Sequence, residues 1–192
     1  MGPAAPGGLA TTNGLVIAHL AGTIAAFDPH DGHGLWSRPF SNDGTMAALD
    51  GTVVTDDGTT IVAVDATTGQ QLWTTASEDP GGTPRALAIG PHLLAPGSAI
   101  PLFAFSAGAA VTRAFDLRGG DERWRTPAAH PGEPTAAAYS GDTTLFIVRG
   151  AEAETLRPQD GAVVSTRHLT ELGRGPVTDL RAADADLSLI HI

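Results

Sequence analysis

Short apolar runs alternate with turn-forming clusters along the whole chain. Thr60-Ile-Val-Ala-Val64 is one such run; Leu15–His19, Thr45–Thr55, Ala86–Ile89 and Leu145–Val148 are others. Asp56-Asp-Gly58 and Ser140-Gly-Asp142 lie between runs as turn signals. Apolar residues do not recur at helical spacing over any long window, so the pattern predicts strands and no helix. The run at Thr60–Val64 is nearly continuous, which predicts burial on both faces.

The pattern repeats internally. Ala26-Phe-Asp-Pro-His-Asp-Gly-His-Gly-Leu-Trp36 aligns without a gap on Ala63-Val-Asp-Ala-Thr-Thr-Gly-Gln-Gln-Leu-Trp73 and on Ala114-Phe-Asp-Leu-Arg-Gly-Gly-Asp-Glu-Arg-Trp124. The shared form is A-x-D-x-x-x-G-x-x-x-W, and it takes in all three tryptophans of the chain. A degenerate fourth copy, Thr155 to Gly161, keeps the glycine but has Arg157 for the aspartate and Ser165 for the tryptophan. The glycines Gly32, Gly69, Gly120 and Gly161 are spaced by 37, 51 and 41 residues, the length of a four-stranded propeller blade. The long interval is read as a loop insertion at Ala95–Gly108.

Each copy has the physics of a hairpin. Asp28, Asp65 or Asp116 ends a strand and offers its carboxylate to the free N–H groups of the turn. Gly32, Gly69, Gly120 or Gly161 supplies a positive φ. The chain then resumes as a strand bearing the tryptophan. A single sheet cannot bury both its faces, so neighbouring sheets must stack. A flat indole fits between sheets only against a small surface, which Ala26, Ala63, Ala114 and the glycines provide. Trp36, Trp73 and Trp124 are therefore expected between sheets, each indole N–H on a backbone carbonyl.

The repeat resembles the tryptophan-docking motif of the pyrroloquinoline-quinone-like (PQQ-like) β-propeller family over roughly residues 14–181. That family includes quinoprotein alcohol dehydrogenases and non-enzymatic members such as a scaffold lipoprotein of the bacterial outer-membrane assembly machine. The resemblance implies an all-β chain of four-stranded antiparallel blades, about four of them, taken from a larger seven- or eight-bladed ring. The expected blades are roughly 10–39, 40–79, 80–130 and 131–172, with 173–186 starting another, so that 1–186 forms one partial propeller domain. Residues 187–192, Leu-Ser-Leu-Ile-His-Ile, match the read-through of a transposase sequencing adapter and are set apart. Met1 is read as an internal start.

The family's enzymatic features do not carry over. A vicinal disulfide against the quinone is impossible in a chain without cysteine. Its Ca²⁺ ligands and Asp base map onto no positions here, and Asp28, Asp65 and Asp116 match only the structural aspartate. No catalytic, cofactor-binding or metal residue is assigned; PQQ and Ca²⁺ enter only if the chain belongs to a quinone-dependent dehydrogenase. The favoured reading is a non-catalytic binding or scaffold module that recognises a protein or small ligand through its blade loops. The alternatives are part of such a dehydrogenase, or a sensory or structural ectodomain of a membrane-anchored protein. The resemblance also suggests an extracytoplasmic location.

Composition narrows the partners. Twenty-four glycines and fourteen prolines suit short strands and frequent turns. A formal net charge of −10 disfavours nucleic acid and anionic membrane surfaces. No stretch is apolar and long enough to span a bilayer as a helix; Ile89–Val111 comes nearest and is broken by Pro91, Pro96 and Pro101. Local chemistry is sparse. His30-Asp-Gly-His33 falls on a hairpin turn, where polar residues are expected without a metal. Asp56-Asp57 and Asp184-Ala-Asp186 lack the ligand number of a calcium loop. Gly81-Gly82 and Gly119-Gly120 lack the strand–helix setting of a phosphate loop. No G-x-S-x-G elbow occurs. Arg113, Arg118, Arg123 and Arg125 are expected at exposed loop and edge positions, partnered by Asp116, Asp121 and Glu122.

Overall fold

The computed structural model describes residues 8–41, 44–77, 86–91, 102–132, 134–140, 144–169, 179–183 and 186–190. The turn at Ser140–Asp142 lies largely outside them, and Asp184 and Gly81-Gly82 wholly so. All regular structure among the described residues is β-strand.

Four sheets of four antiparallel strands follow one another, each in chain order. The first holds β1 (Leu9–Thr12), β2 (Leu15–Leu20), β3 (Thr23–Phe27) and β4 (Gly34–Pro39). The second holds β5 (Thr45–Leu49), β6 (Thr52–Asp56), β7 (Thr60–Asp65) and β8 (Gln71–Ala76). The third holds β9 (Ala86–Pro91), β10 (Leu102–Ala107), β11 (Val111–Asp116) and β12 (Glu122–Pro127). The fourth holds β13 (Pro134–Ser140), β14 (Thr144–Arg149), β15 (Glu152–Leu156) and β16 (Val163–His168). A last hairpin pairs β17 (Asp179–Ala183) with β18 (Asp186–Ile190), so residues 187–190 pair as strand.

The expected loop insertion at Ala95–Gly108 is corrected in part. Leu102-Phe-Ala-Phe-Ser-Ala107 forms β10, the second strand of its sheet, between β9 and β11. Its apolar residues compensate for the Pro and Gly around them, and the loop-like composition is confined to the residues before it.

Turn chemistry fixes the registers. Asn13-Gly14 and Asp50-Gly51 each take two consecutive positive φ angles, 48° then 74°, and close two-residue hairpins whose twist matches the strands. The third and fourth strands of every sheet slip register at one equivalent place: after Ala26, Ala63, Ala114 and Thr155. The extra residues in these bulges are Leu35, Leu72, Arg123 and Val164. The bulge turns them outward, which accounts for three of the chain's exposed large apolar side chains, Leu35, Leu72 and Val164.

The chain divides into two compact units. One contains the first two sheets together with Arg118–Gly120; its core joins Ile17, Ile24 and Ala26 of the first sheet to Val53, Val64 and Ala66 of the second. The other contains the third and fourth sheets and the hairpin. Its core joins Phe105, Ala107 and Ala114 to Leu145, Ile147 and Leu156, and β17 runs beside β13.

Candidate interaction surface

The repeated motif builds a turn and a seat. Asp28 N–H donates to the His33 carbonyl at 2.9 Å, and Gly32 N–H donates back to the Asp28 carbonyl at 2.9 Å. Asp65 with Gln70 and Gly69 makes the same two bonds at 2.8 Å, and Arg157 with Ala162 and Gly161 makes them at 2.9 Å. Asp116 N–H reaches the Asp121 carbonyl at 2.9 Å. The aspartate adds its side chain to this frame. Asp65 Oδ1 accepts from the Thr67 and Thr68 N–H groups at 3.0 and 2.8 Å and from the Thr68 hydroxyl at 2.9 Å. Asp28 Oδ1 accepts from the His30 N–H at 2.8 Å. These bonds, led by the Thr68 and His30 N–H groups, hold both carboxyls below their ordinary value. Asp116 instead meets Arg123 at 2.8 Å. In the fourth copy Asp160 holds Arg157 at 2.7 Å and accepts from the Ala162 N–H at 3.0 Å.

Each tryptophan crosses to a turn glycine farther along the chain. Trp36 Nε1–H donates to the Ala66 carbonyl at 2.8 Å, and a Cβ on Gly69 would stand 2.7 Å from the Trp36 ring. Arg38 donates to the Gly69 carbonyl at 2.8 Å. Trp73 lies over Gly120 in the same relation. Trp124 Nε1–H donates to the Pro158 carbonyl at 2.7 Å, lies over Gly161, and has Thr126 beside it donating to the Gly161 carbonyl at 2.7 Å. Ala26, Ala63 and Ala114 pair directly across from the three indoles and are fully buried. Trp73 is buried; Trp36 and Trp124 are half-buried. Thr155 and Ser165 take the two places in the fourth sheet.

With the motif residues held in turns and stacking, His30, Asp31, Asp50 and Arg118 stand exposed at the end of the first unit's sheets where the motif turns lie. His30 is exposed, with Nδ1 3.0 Å from Asp28 Oδ1, and the His33 N–H donates to Asp31 at 2.8 Å. Arg118 reaches Asp50 at 3.4 Å in the open. Among the described residues no three His, Asp or Glu side chains gather as a metal site would need.

The second unit departs from expectation at Arg113. It is buried, not exposed: its guanidinium donates to Glu122 through Nε at 2.8 Å and Nη2 at 2.5 Å, and covers the Phe115 ring 4.6 Å from the centroid. A carboxylate on the adjacent strand and an aromatic face make a desolvated guanidinium tolerable. Arg125 also binds Glu122, at 2.6 Å, and with Arg113 lowers that carboxyl's pKa. Arg118, Arg123 and Arg125 are exposed, with carboxylate partners Asp50, Asp116 and Glu122.

A second buried pair has no counterpart in the sequence reading. Arg149 and Glu154, both with fully buried side chains, meet at 3.2 Å. Arg149 also donates to Thr112 Oγ1 at 3.2 Å, to the Gly132 carbonyl at 3.1 Å and to the Gly108 carbonyl. Glu154 accepts from the His130 N–H at 3.0 Å. The pair ties β14 and β15 to β11 and to the segment between the third and fourth sheets. The available signal was a charge at the end of one apolar run, Leu145–Val148, and another inside the next strand.

The family model described as outer membrane protein assembly factor BamB matches residues 20–189. Comparison with the curated proteins gives no match. Among solved structures, BamB from Moraxella catarrhalis is similar at 17% identity with a TM-score of 0.56, over 84% of this chain and 52% of that one. The quinohemoprotein alcohol dehydrogenase ADHIIG from Pseudomonas putida HK5 is similar at 16% identity with a TM-score of 0.59, over 83% of this chain and 33% of that one. The chain thus spans about half of the first and a third of the second. Both likenesses establish the β-propeller fold.

Proposed function

The chain belongs to the PQQ-like repeat family of the outer membrane protein assembly factor BamB, and from that premise we propose that it is a non-catalytic β-propeller scaffold that recognises a protein partner through its blade loops. The observation that carries this reading is where the polar groups go. The repeated aspartates are held inside turns and the indoles inside sheet stacking, and His30, Asp31, Asp50 and Arg118 present their ion pairs and turn bonds to solvent at the motif-turn end of the first unit. Loops held on rigid sheets are where binding residues collect. Membership of that family supports a location outside the cytoplasm.

The quinone-dependent alternative fits the residues poorly. The chain has no cysteine pair, and Asp28, Asp65 and Asp116 are engaged in their own turns and strands.

Two measurements test the proposal. Benzoylphenylalanine at His30 or Thr67 should photo-crosslink one discrete envelope protein in cells, while the same probe at Ala21 or Asp57, at the other end of the sheets, should not. Purified chain mixed with PQQ and Ca²⁺ should show no dye-linked alcohol oxidation; stoichiometric quinone binding with turnover would overturn the scaffold reading.

A further inference from the structure

The first two sheets close their opening hairpins on the same pair of backbone shapes with different residues. Asn13-Gly14 joins β1 to β2 and Asp50-Gly51 joins β5 to β6, each with φ 48° and then 74°. The second turn is tied down. Gly51 N–H donates to Thr12 Oγ1 at 2.8 Å, the Gly51 carbonyl accepts from the Ala66 N–H at 2.8 Å, and the Asp50 carboxylate meets Arg118 at 3.4 Å. The first turn is open. Among the described residues neither the Gly14 N–H nor the Asn13 carboxamide has a hydrogen-bond partner, and nothing lies within 4 Å of a Cβ built on Gly14. Asn13 and Gly14 are both exposed.

These are the conditions under which an asparagine loses its amide. The backbone nitrogen of the next residue must be unshielded and its proton held by no acceptor, and a glycine there adds no side chain and the widest backbone range. The Gly14 nitrogen, deprotonated by hydroxide, attacks Asn13 Cγ. The bond from Cγ to the side-chain nitrogen breaks, and that nitrogen takes a proton from water and leaves as ammonia. The five-membered succinimide that remains is opened by water. Addition at Cγ gives aspartate with the original backbone. Addition at the Asn13 backbone carbonyl gives isoaspartate, in which the chain runs on through Cγ. No electrons are exchanged: an amide and water become a carboxylic acid and ammonia.

We propose that Asn13 is a site of spontaneous deamidation, converted to aspartate and isoaspartate through a succinimide closed by the Gly14 nitrogen. Asp50 indicates what the first product does. An aspartate already occupies the equivalent turn at the same φ, so the aspartyl form keeps the hairpin. The isoaspartyl form cannot, because an extra methylene in the backbone breaks the pair of left-handed residues on which this two-residue turn depends. The damage reaches the contact between the first two sheets. Thr12 ends β1 opposite Leu15, and its hydroxyl holds Gly51 of the second sheet. Asn13 itself lies against Gly51, with Nδ2 2.5 Å from a Cβ built there. The chemistry is that of one turn and holds whether or not the loops recruit a partner.

The test follows the unaltered chain through incubation in native, mildly alkaline buffer. Peptide mapping by mass spectrometry should find Asn13 converted several-fold faster than Asn42, the other asparagine of the chain, whose successor Asp43 carries a side chain. Conversion should rise with hydroxide concentration. A protein isoaspartate methyltransferase should methylate the peptide that carries residue 13. Asn13→Gln, which would have to close a six-membered ring, should abolish that methylation. The isoaspartyl fraction, once separated, should melt below the Asn13→Asp variant. Asn13 converting no faster than Asn42, or converting only once urea has unfolded the chain, would overturn the proposal. Equal melting of the isoaspartyl fraction and Asn13→Asp would overturn the claim that the turn links the modification to the sheet contact.

Discussion

The two units solve one packing problem by different chemistry. The residue just before the motif's small position is Ala25 in the first sheet and Val62 in the second, but Arg113 in the third and Glu154 in the fourth. All four stand at the same register of the third strand, opposite Ser37, Thr74, Arg125 and Thr166. In the first unit the place is apolar. In the second it holds charges with 6% and 1% of their surface exposed, each satisfied locally: Arg113 by Glu122, Glu154 by Arg149 and the His130 N–H. The fold thus specifies that the position be filled and partnered, and leaves open with what. Ion pairs buried this way add little stability over apolar residues but make each partner indispensable to the other.

That asymmetry gives the largest expected effect. Glu154→Ala leaves the Arg149 guanidinium buried without its counter-charge and should cost about 3–5 kcal/mol. Val62→Ala, at the equivalent place in the first unit, should cost about 1 kcal/mol, two methyl groups at half burial. The paired change Arg149→Met with Glu154→Leu should recover most of the loss. Urea midpoints at constant slope decide the matter. If Glu154→Ala costs no more than Val62→Ala, water reaches the pair and the contrast between the units fails.

The outer strands give the next contrast. β8 buries Trp73 between outward-facing neighbours, whereas β16 is exposed at every residue. Yet the turns leading into them make the same pair of backbone bonds. Turn and seal are therefore separable: glycine and backbone make the turn, and the indole closes the stack. Trp73→Ala should cost about 3–4 kcal/mol, towards the lower end for large core deletions. Ser165→Ala should change stability by less than about 0.5 kcal/mol, as exposed sites do. A comparable cost at both positions would mean that the indole contributes no more than an exposed side chain.

The glycine seats sharpen the same point at smaller scale. Gly69→Ala meets two penalties, a left-handed backbone and a ring 2.7 Å from the new carbon, and should cost about 2 kcal/mol. Gly32→Ala meets only the first and should cost about 1 kcal/mol. Equal losses would place a group over Gly32, where no described atom comes within 4 Å of the new carbon.

What was legible in the sequence follows from what each signal depends on. The motif residues announce their turns because aspartate, glycine and tryptophan act through local geometry repeated at fixed spacing. The strands at Leu15–His19, Thr60–Val64 and Leu145–Val148 announce themselves by apolar runs. β10 was hidden because prolines and glycines precede and follow Leu102–Ala107, and composition over the window outweighed the short apolar core. Arg113 was misplaced because a charge between Thr112 and Ala114 reads as solvent-facing until the strand carrying Glu122 is laid beside it. The Arg149–Glu154 pair depends on two strands whose register no local pattern reveals, and on carbonyls of Gly108 and Gly132 that carry no side-chain signal at all. That Gly32, alone of the four motif glycines, has no indole over it among the described residues became visible only when the other three could be compared with it.

The smallest effect concerns the turn carboxylates, and it separates the second turn from the fourth, where Arg157 replaces the aspartate. Asp65 is held below its ordinary value chiefly by the Thr68 N–H, then by the Thr68 hydroxyl and the Thr67 N–H. The folded chain therefore loses this charge at a lower pH than the unfolded chain does. The stabilisation is complete above the unfolded value near pH 3.9 and declines as the pH falls through the lower folded value. Asp65→Asn keeps an oxygen acceptor for the same N–H groups but removes the charge. Native protein should thus exceed the Asn variant in stability at pH 6, and the two should converge as the pH is taken down through the carboxylate range. The gap should also narrow with salt, because the turn is open to solvent and its electrostatics are screened. Paired urea titrations at pH 6 and in acid read the effect directly. A gap that widens in acid would reverse the sign and remove the Asp65 carboxylate from the account of the turn, leaving the glycine and the two backbone bonds to make it.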